Sequence, residues 1–517
     1  MPQTQEMDAT PPQATEDASA GSRKDADAVL LDDDDADNDD DEPRTPELPI
    51  GVVMHNLYTG QSSTKDTLSI HANLDNIASW TETGNDNVKH VTYGTIGNAM
   101  WSGIEAMTAL TYELTGGLGT YKPRYDFAVR SSTMTSQLRG YFDDARIIVD
   151  KHGVLGVDSK AGTTEFIPAV DIIFGDMRGW KAGDAGKTVE PGPAVDVLNY
   201  VSKYSPKIII AGVPDGKCPE ILAKLAEMAN AYGYDFAIEK IKLQDTGTSV
   251  TRTEQFFVAV RRRGVESTVT PESRERRLAF RVEKFLEKKL PLPELDPDLF
   301  LESETFFIDD DAREPKKKKG SEAWKEDHMY VYNHNKVDWP AKPDEAFLQM
   351  AHKSRLNERQ IELLFIITKK LEPSPERIYL NLAKNIMTVN FDDEKDTPWC
   401  TTVDIPLTAS SGAPTVWHQQ EERLLVGAEL MRFLGMEVQV PFDDPDYESD
   451  QTFFGNLANS TYSVFGLATI MMAVLVCADT SALVNEMVPS GHQCARERER
   501  IDQCGSPKES GLTESAD

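Results

Sequence analysis

The chain reads as an α/β protein organised around a doubly wound, mostly parallel sheet, and three observations predict that class. Short runs rich in β-branched residues recur between residues 88 and 263. Helical stretches with apolar residues three and four apart separate them. Gly, Pro or charged residues bound each run.

In chain order, the first 48 residues combine Pro, Ala and Ser with the acidic runs Asp32 to Asp35 and Asp39 to Asp41, a composition that cannot offset the entropy of ordering and predicts a solvated tail. The first fifty residues carry sixteen Asp and Glu against Arg23, Lys24 and Arg44, so they account for -13 of the formal charge of -32. Strands are expected at His90–Tyr93, Phe127–Arg130, Ile147–Val149, Val170–Phe174, Ile208–Val213 and Phe256–Val260. Helices are expected at Ile104–Leu114, Val195–Lys203 and Pro219–Ala231. Residues 264–345, with Arg261–Arg263 at their edge and Arg274–Arg277, Pro291–Pro297 and Lys316–Lys319 within, read as a charged linker or insertion. Residues 346–412 read as a small mixed region with one amphipathic helix, Glu358–Leu371. Residues 413–480 return to ordered character, and 481–517 form a polar tail. No internal repeat is present.

Several function classes are disfavoured at this level. The five cysteines, Cys218, Cys400, Cys477, Cys494 and Cys504, have no metal-ligand spacing, and their odd number suits a reducing compartment better than a disulfide framework. No metal site is expected. The amino terminus lacks the basic start and apolar core of a signal peptide. The apolar run Val464 to Ala478 is shorter than the roughly 20 residues a membrane span needs and predicts a buried helix. With -19 left outside the first fifty residues, the charge disfavours tight nonspecific binding to nucleic acid, because phosphate contacts rest on Lys and Arg. The Lys316–Lys319 run reads as a solvated surface segment ahead of a nuclear-import peptide, and the location expected is nuclear or cytoplasmic, with nuclear favoured.

The first candidate for chemistry is the small-residue turn from Gly94 to Glu105, which follows a strand and opens a helix. Such a turn lets backbone amides approach a cofactor. A strand-to-helix turn with no ligand has the same composition. A ribose-binding carboxylate is expected at the end of the next strand; Tyr125–Val129 ends instead at Arg130, with Asp126 the acidic residue nearby.

The order of segments resembles the cytosine-5 DNA methyltransferases, which use S-adenosylmethionine, flip a cytosine out of the duplex and attack it with a cysteine. The resemblance is most specific at Ala413–Trp417, at Arg423-Leu424-Leu425-Val426-Gly427-Ala428-Glu429, similar to the family's Arg-x-Leu-x-Gly-x-Glu, and at Phe433–Met436. Leu457-Ala458-Asn459-Ser460 is similar to the Gly-Asn-Ser motif, with Gly455-Asn456 as the alternative frame. Trp101-Ser102-Gly103-Ile104-Glu105 is similar to Phe-Ser-Gly-x-Gly, with Glu105 for the last Gly. The resemblance implies a sheet of the class I methyltransferase type over 85–263. It also implies a target-recognition-like region at 346–412, a segment 413–480 packing back on the sheet, and a cofactor held by Trp101, Ser102, Gly103, Asn459 and Ser460.

The catalytic motifs depart from the family. Val170–Arg178 stands where the nucleophile loop belongs and has no cysteine. Ser205–Val213 ends in Ala211-Gly212-Val213 in place of Glu-Asn-Val. In the segment similar to Gln-x-Arg-x-Arg, Val250 replaces Gln and Glu254 the second Arg, so Arg252 alone matches. A second alignment, with Ala211–Pro214 as the nucleophile loop, puts Asp215 in place of the cysteine; Cys218 then falls three residues late and reads as a plain thiol. The chemistry needs thiolate, Glu and Arg together. Three readings stand open: a catalytically degenerate methyltransferase-fold protein that binds or scaffolds, with its acidic tail open to basic partners such as histones; an active methyltransferase with an atypical site using Trp101, Gly103, Arg252 and Asn459; and an unrelated acidic interaction protein. DNA is a partner the charge disfavours, and no membrane association is expected.

Overall fold

In a computed structural model, the chain is described at residues 50, 52–53, 56–57, 64–77, 79–80, 89–97, 102–115, 124–129, 146–150, 155–158, 163–167, 169–177, 193–213, 219–262, 271–301, 344–353, 356, 358–370, 379–382, 399–400, 402–407, 415–438, 447–478 and 480. The expected tails, the Lys316–Lys319 run, Trp101, Arg130 and Cys218 lie outside the described residues.

Helix α1 (Thr64–Ile77) leads through the short strands β1 (Ser79–Trp80) and β2 (Lys89–His90) to β3 (Thr92–Ile96), α2 (Ser102–Thr115) and β4 (Arg124–Val129). Strands β5 (Arg146–Asp150), β6 (Leu155–Asp158), β7 (Thr164–Phe166) and β8 (Ile172–Asp176) follow. Then come α3 (Pro193–Tyr204), β9 (Ile208–Val213), α4 (Pro219–Tyr232), β10 (Tyr234–Lys242) and β11 (Thr253–Arg261). The sheet order is β10-β11-β9-β8-β3-β4-β5-β6-β7. Strands β5, β4, β3, β8 and β9 are mutually parallel, and β11 runs antiparallel between β9 and β10. Five parallel strands that reverse direction in sequence order at β3, with one reversed strand inserted next to the far edge, make this a class I methyltransferase-type sheet.

The central strands owe their place to their composition. Every residue of β8 and β9 is buried, as expected of parallel strands covered on both faces. One face packs on α3 and α4 through Val197, Tyr200, Val201, Ile221 and Leu225. The other carries Tyr93, Phe174, Ile208, Ile210, Phe256 and Val258 against α1, α2 and the carboxyl-terminal helices. Helix α10 (Val464–Cys477) is apolar on all sides and buried along nearly its whole length, which is how a helix with no polar face must sit. Ser463 caps it, its Oγ accepting from the Phe465 amide at 3.1 Å. At the other end Asn73 of α1 donates to the carbonyls of Leu475 and Ala478 at 2.6 and 2.9 Å, which ties α1 into the same core. The ordered unit therefore starts before residue 85.

Two further departures from the sequence reading have plain physical causes. Within the segment read as a linker, α5 (Pro271–Lys289) buries Leu278, Val282, Phe285 and Leu286. These lie at four-, three- and one-residue steps, an apolar stripe amid heavy charge. Leu292, Leu295 and Phe300 continue the packing, with Leu292 and Leu295 amides bonded to the carbonyls of Asp245 and Gly247 at 2.8 Å. The second departure concerns residues 413–424. Strands β12 (Tyr379–Asn381), β13 (Trp399–Cys400), β14 (Val416–His418) and β15 (Arg423–Leu424) form one antiparallel sheet in the order β13-β12-β14-β15. The segment thus begins in the small sheet, where Leu380 and Trp417 pack with Leu364 and Ile367 of the helix Glu358–Lys370. It joins the large core from helix α8 (Gly427–Arg432) onward, followed by α9 (Tyr447–Ala458) and α10. No helix among the described residues is long and apolar enough to cross a membrane.

The Arg-x-Leu-x-Gly-x-Glu segment forms an internal fastening. Arg423 makes a two-pronged contact with Glu429, Nη1 to Oε2 at 2.8 Å and Nη2 to Oε1 at 2.7 Å, and the Val426 amide donates to Glu429 Oε2 at 2.9 Å. Both ionic side chains are buried. Gly427 abuts the Gln451 carbonyl and the Gly455 amide of α9 so closely that a β-carbon would collide with backbone. Gly427→Ala is therefore expected to force α8 and α9 apart and lower stability by about 1–3 kcal/mol. A urea unfolding curve indistinguishable from the parent chain's would refute that account.

Candidate functional site

In open α/β sheets ligands sit beyond the carboxyl ends of the parallel strands, where strand order reverses. Here that end is built from the β3-to-α2 turn, the end of β8 and the end of β9. Gly97 takes the left-handed φ of 91° that closes the turn after β3. Ser102 and Gly103 open α2 and are buried. Thr95 Oγ1 and Ser102 Oγ are both buried without a hydrogen-bond partner, so this turn holds two hydroxyls with unmet bonding capacity.

Gly103 packs directly on the sheet. A β-carbon on Gly103 would lie 2.5 Å from the Phe174 ring of β8. The glycine thus lets α2 press onto the sheet, one of the uses a glycine has in such turns. Glu105, where the family has its second glycine, is half-buried in the first turn of α2. Burial pushes its carboxyl up to about 8; the Glu437 backbone amide lowers it and the Glu437 carboxyl raises it further. Glu437 is itself raised, by burial first, with Arg432 opposing.

Strand β8 ends in buried Asp176, and the Met177 amide donates to the Gly212 carbonyl at 3.0 Å. Gly212 follows Ala211 at the end of β9, and any side chain there would collide with the ring of Tyr462. Asp171 lies at the opposite, amino end of β8. It pairs with buried Lys207 at 3.0 Å and accepts from the Thr92 amide and hydroxyl at 3.0 and 2.8 Å.

Arg252 is buried. Its Nη1 donates to the Ala458 carbonyl at 3.2 Å, and its Nη2 to the Thr461 carbonyl at 2.9 Å and to Glu254 Oε1 at 2.5 Å. The Ser463 amide donates to the same carboxylate oxygen at 2.9 Å. Residues two apart in extended chain share a face, so Arg252 and Glu254 meet and together grip the turn between α9 and α10. Arg252 also serves the last carbonyl of α9, one of the acceptors a helix end leaves open. In that turn Ser460 Oγ donates to the Leu457 carbonyl at 3.2 Å, and Asn459 is buried.

The structure thus gathers Ser102 and Gly103 at the carboxyl end of the parallel strands, and Arg252, Asn459 and Ser460 around the α9–α10 turn. Sequence reasoning missed Phe174, Asp176, Tyr462 and the partnership of Arg252 with Glu254. The two-residue spacing of that last pair was the one available signal.

No family model matches the chain, and no curated protein matches it. Solved structures similar to it include the Entamoeba histolytica methyltransferase EhMeth, with 11% identity and a TM-score of 0.37 over 75% of this chain and 98% of that one. A putative DNA modification methyltransferase encoded within an Escherichia coli prophage gives 12% and 0.36, over 74% and 98%. The Schizosaccharomyces pombe Dnmt2 methyltransferase gives 10% and 0.35, over 74% and 97%.

Tested against S-adenosylmethionine, the cofactor that the fold implies, the residues at the turn fit poorly. The two unpartnered hydroxyls suit a polar ligand. Glu105 nevertheless brings a half-buried acid, costly to ionise there, to a position of close approach.

Proposed function

We propose that this chain is a methyltransferase-fold protein that binds or scaffolds and no longer transfers methyl groups. The observation that carries the reading is Arg252. It is the one residue matching the family's base-binding arginines, and its guanidinium is buried, neutralised by Glu254 and bonded to two backbone carbonyls. A guanidinium so engaged has no route to a nucleotide without dismantling the α9–α10 turn. The end of β9 supports the same reading. Where Glu and Asn would polarise and hold a cytosine, Ala211 and Gly212 offer no polar side chain, and Tyr462 fills the room a larger one would need. The basic partners this reading favours are proteins such as histones, drawn to the acidic amino-terminal segment, within a nuclear setting.

One observation favours the alternative of an active enzyme with an atypical site: the buried, unpartnered Thr95 and Ser102 hydroxyls at the turn where S-adenosylmethionine would bind. A thermal-shift and calorimetric titration of the full chain with S-adenosylmethionine and S-adenosylhomocysteine separates the two. A ligand that binds the native state alone raises stability by RT ln(1 + [L]/Kd), about 2.7 kcal/mol at a hundredfold excess over Kd. The expected result is no shift and no heat. Saturable binding, followed by methyl transfer to DNA, would overturn the proposal.

A further inference from the structure

A second feature lies at the opposite end of the sheet. The register Val260 with Ile208, and Asp235 with Val260, puts the end of β11 and the start of β10 beside the amino end of β9. There a small, shallow surface cleft is lined by Arg262, Arg277 and Arg281, with Asp235 the one acidic residue in its wall and Cys477 and Ala478 at the end of α10. Three guanidiniums against one carboxylate make a local excess of positive charge in a chain of net charge -32.

The bonding of these arginines leaves most of their capacity unspent. Arg262 Nε sits 2.5 Å from Asp235 Oδ2, and Arg281 Nη1 caps the Cys477 carbonyl of α10 at 3.2 Å. Each guanidinium carries five donors, and among the described residues Arg262 and Arg281 engage one apiece in these contacts. Arg277 is exposed on α5 and makes no hydrogen bond or ion pair with the described residues. Between Arg277 and Arg281 on the same helix, Phe280 is 60% exposed, the most exposed large apolar side chain among the described residues.

We propose that this cleft binds a phosphorylated side chain on a segment of a partner protein. Arginines that line one cleft offer forked donors to a phosphomonoester, which brings close to two negative charges to one point. The exposed Phe280 beside the charged site gives a flanking apolar residue of a peptide something to cover, which a free small phosphate would not use. A nucleic-acid backbone is the poorer occupant. It gains affinity from many phosphate contacts spread over a long track, whereas here three arginines border one small cleft on an acidic molecule. The proposal does not depend on the reading of the cofactor end.

The test is fluorescence anisotropy on the full chain. The probes are a labelled degenerate peptide library fixed at a central phosphoserine, the matched serine library, inorganic phosphate and a single-stranded oligonucleotide as competitors, and the variants Arg277→Gln and Phe280→Ala. Both substitutions sit on exposed helix surface, and melting temperatures establish that they fold. The expected result is a preference of about tenfold or more for the phosphorylated library, a loss of about tenfold in Arg277→Gln, and a smaller loss in Phe280→Ala. Equal binding of the two libraries, binding of neither, no effect of Arg277→Gln, or displacement by the oligonucleotide at lower concentrations than by phosphate would each overturn it. Binding of inorganic phosphate without the phosphorylated library would identify a small-anion site and overturn the peptide assignment.

Discussion

Arg252→Ala is expected to destabilise the chain by about 3–5 kcal/mol, a large share of the roughly 5–15 kcal/mol that holds a domain folded. The substitution leaves Glu254 buried as an uncompensated charge and deprives the carbonyls of Ala458 and Thr461 of their donor. It also removes the link between β11 and the turn that feeds α10, the helix at the centre of the larger core. Replacing the pair together, as Arg252→Met with Glu254→Leu, should recover much of the loss, because the penalty is for separating the charges and a well-packed apolar pair avoids it. Urea unfolding of the single and double variants measures both. A single variant as stable as the parent chain would return Arg252 to the list of residues available for nucleotide contact, and the proposal of a scaffold would lose its main support.

How far this arrangement could be read in the residues varies from element to element. Ile208–Val213 was legible to the residue, because a run of three isoleucines bounded by charge and Pro is a strand buried on both faces. The apolar run from Val464 was legible as a buried helix for the same reason. Strand β10 escaped notice: Tyr234–Lys242 mixes Asp235, Glu239 and two lysines into its apolar residues, and four of its positions, Ile238, Glu239, Lys240 and Lys242, are exposed or half-exposed, as befits the sheet's edge. Helix α5 was hidden by its charge. The stripe Leu278, Val282, Phe285 and Leu286 is regular, yet Arg, Glu and Lys outnumber it and gave the segment the look of a linker. At the candidate site, the absence of a cysteine and of Glu-Asn at the positions similar to the family's motifs was plain from identity alone. The fate of Arg252 was not, because its partners at Ala458 and Thr461 lie more than two hundred residues away and become neighbours only when α9 and α10 fold back on β11. Gly103 teaches the same point. A glycine that serves a turn and one that lets a helix press onto a sheet are identical in sequence, and the neighbour that shows the second use here, Phe174, comes from β8.

The acid that replaces the family's second glycine leads to the other large effect expected. Burial is the main cause that holds Glu105 at about 8, so the folded chain keeps a proton there that the unfolded chain releases near its ordinary value of 4.5. Between those two pH values the unfolded state binds fewer protons than the native state, and stability must fall as pH rises. The contribution is fully present below about 4.5 and lost by about 8, and a shift of that size corresponds to about 4–5 kcal/mol at 1.36 kcal/mol per unit. The groups that face Glu105 and set this value are the Glu437 amide, which favours the ionised form, and the Glu437 carboxylate, which opposes it, with Arg432 acting on Glu437 in turn. Glu105→Gln keeps the shape and an acceptor for the Glu437 amide while removing the proton equilibrium. Relative to the parent chain, the variant should be close to neutral at pH 5 and clearly more stable at pH 9. Glu239, raised to about 7 by burial first and by Glu283 second, titrates in both chains and cancels in the difference. Chemical denaturation of the two proteins at both pH values gives the result directly. A difference in stability that does not change with pH would show that Glu105 is ionised and hydrated in the folded state, leaving the turn after β3 open to solvent and to a cationic ligand after all.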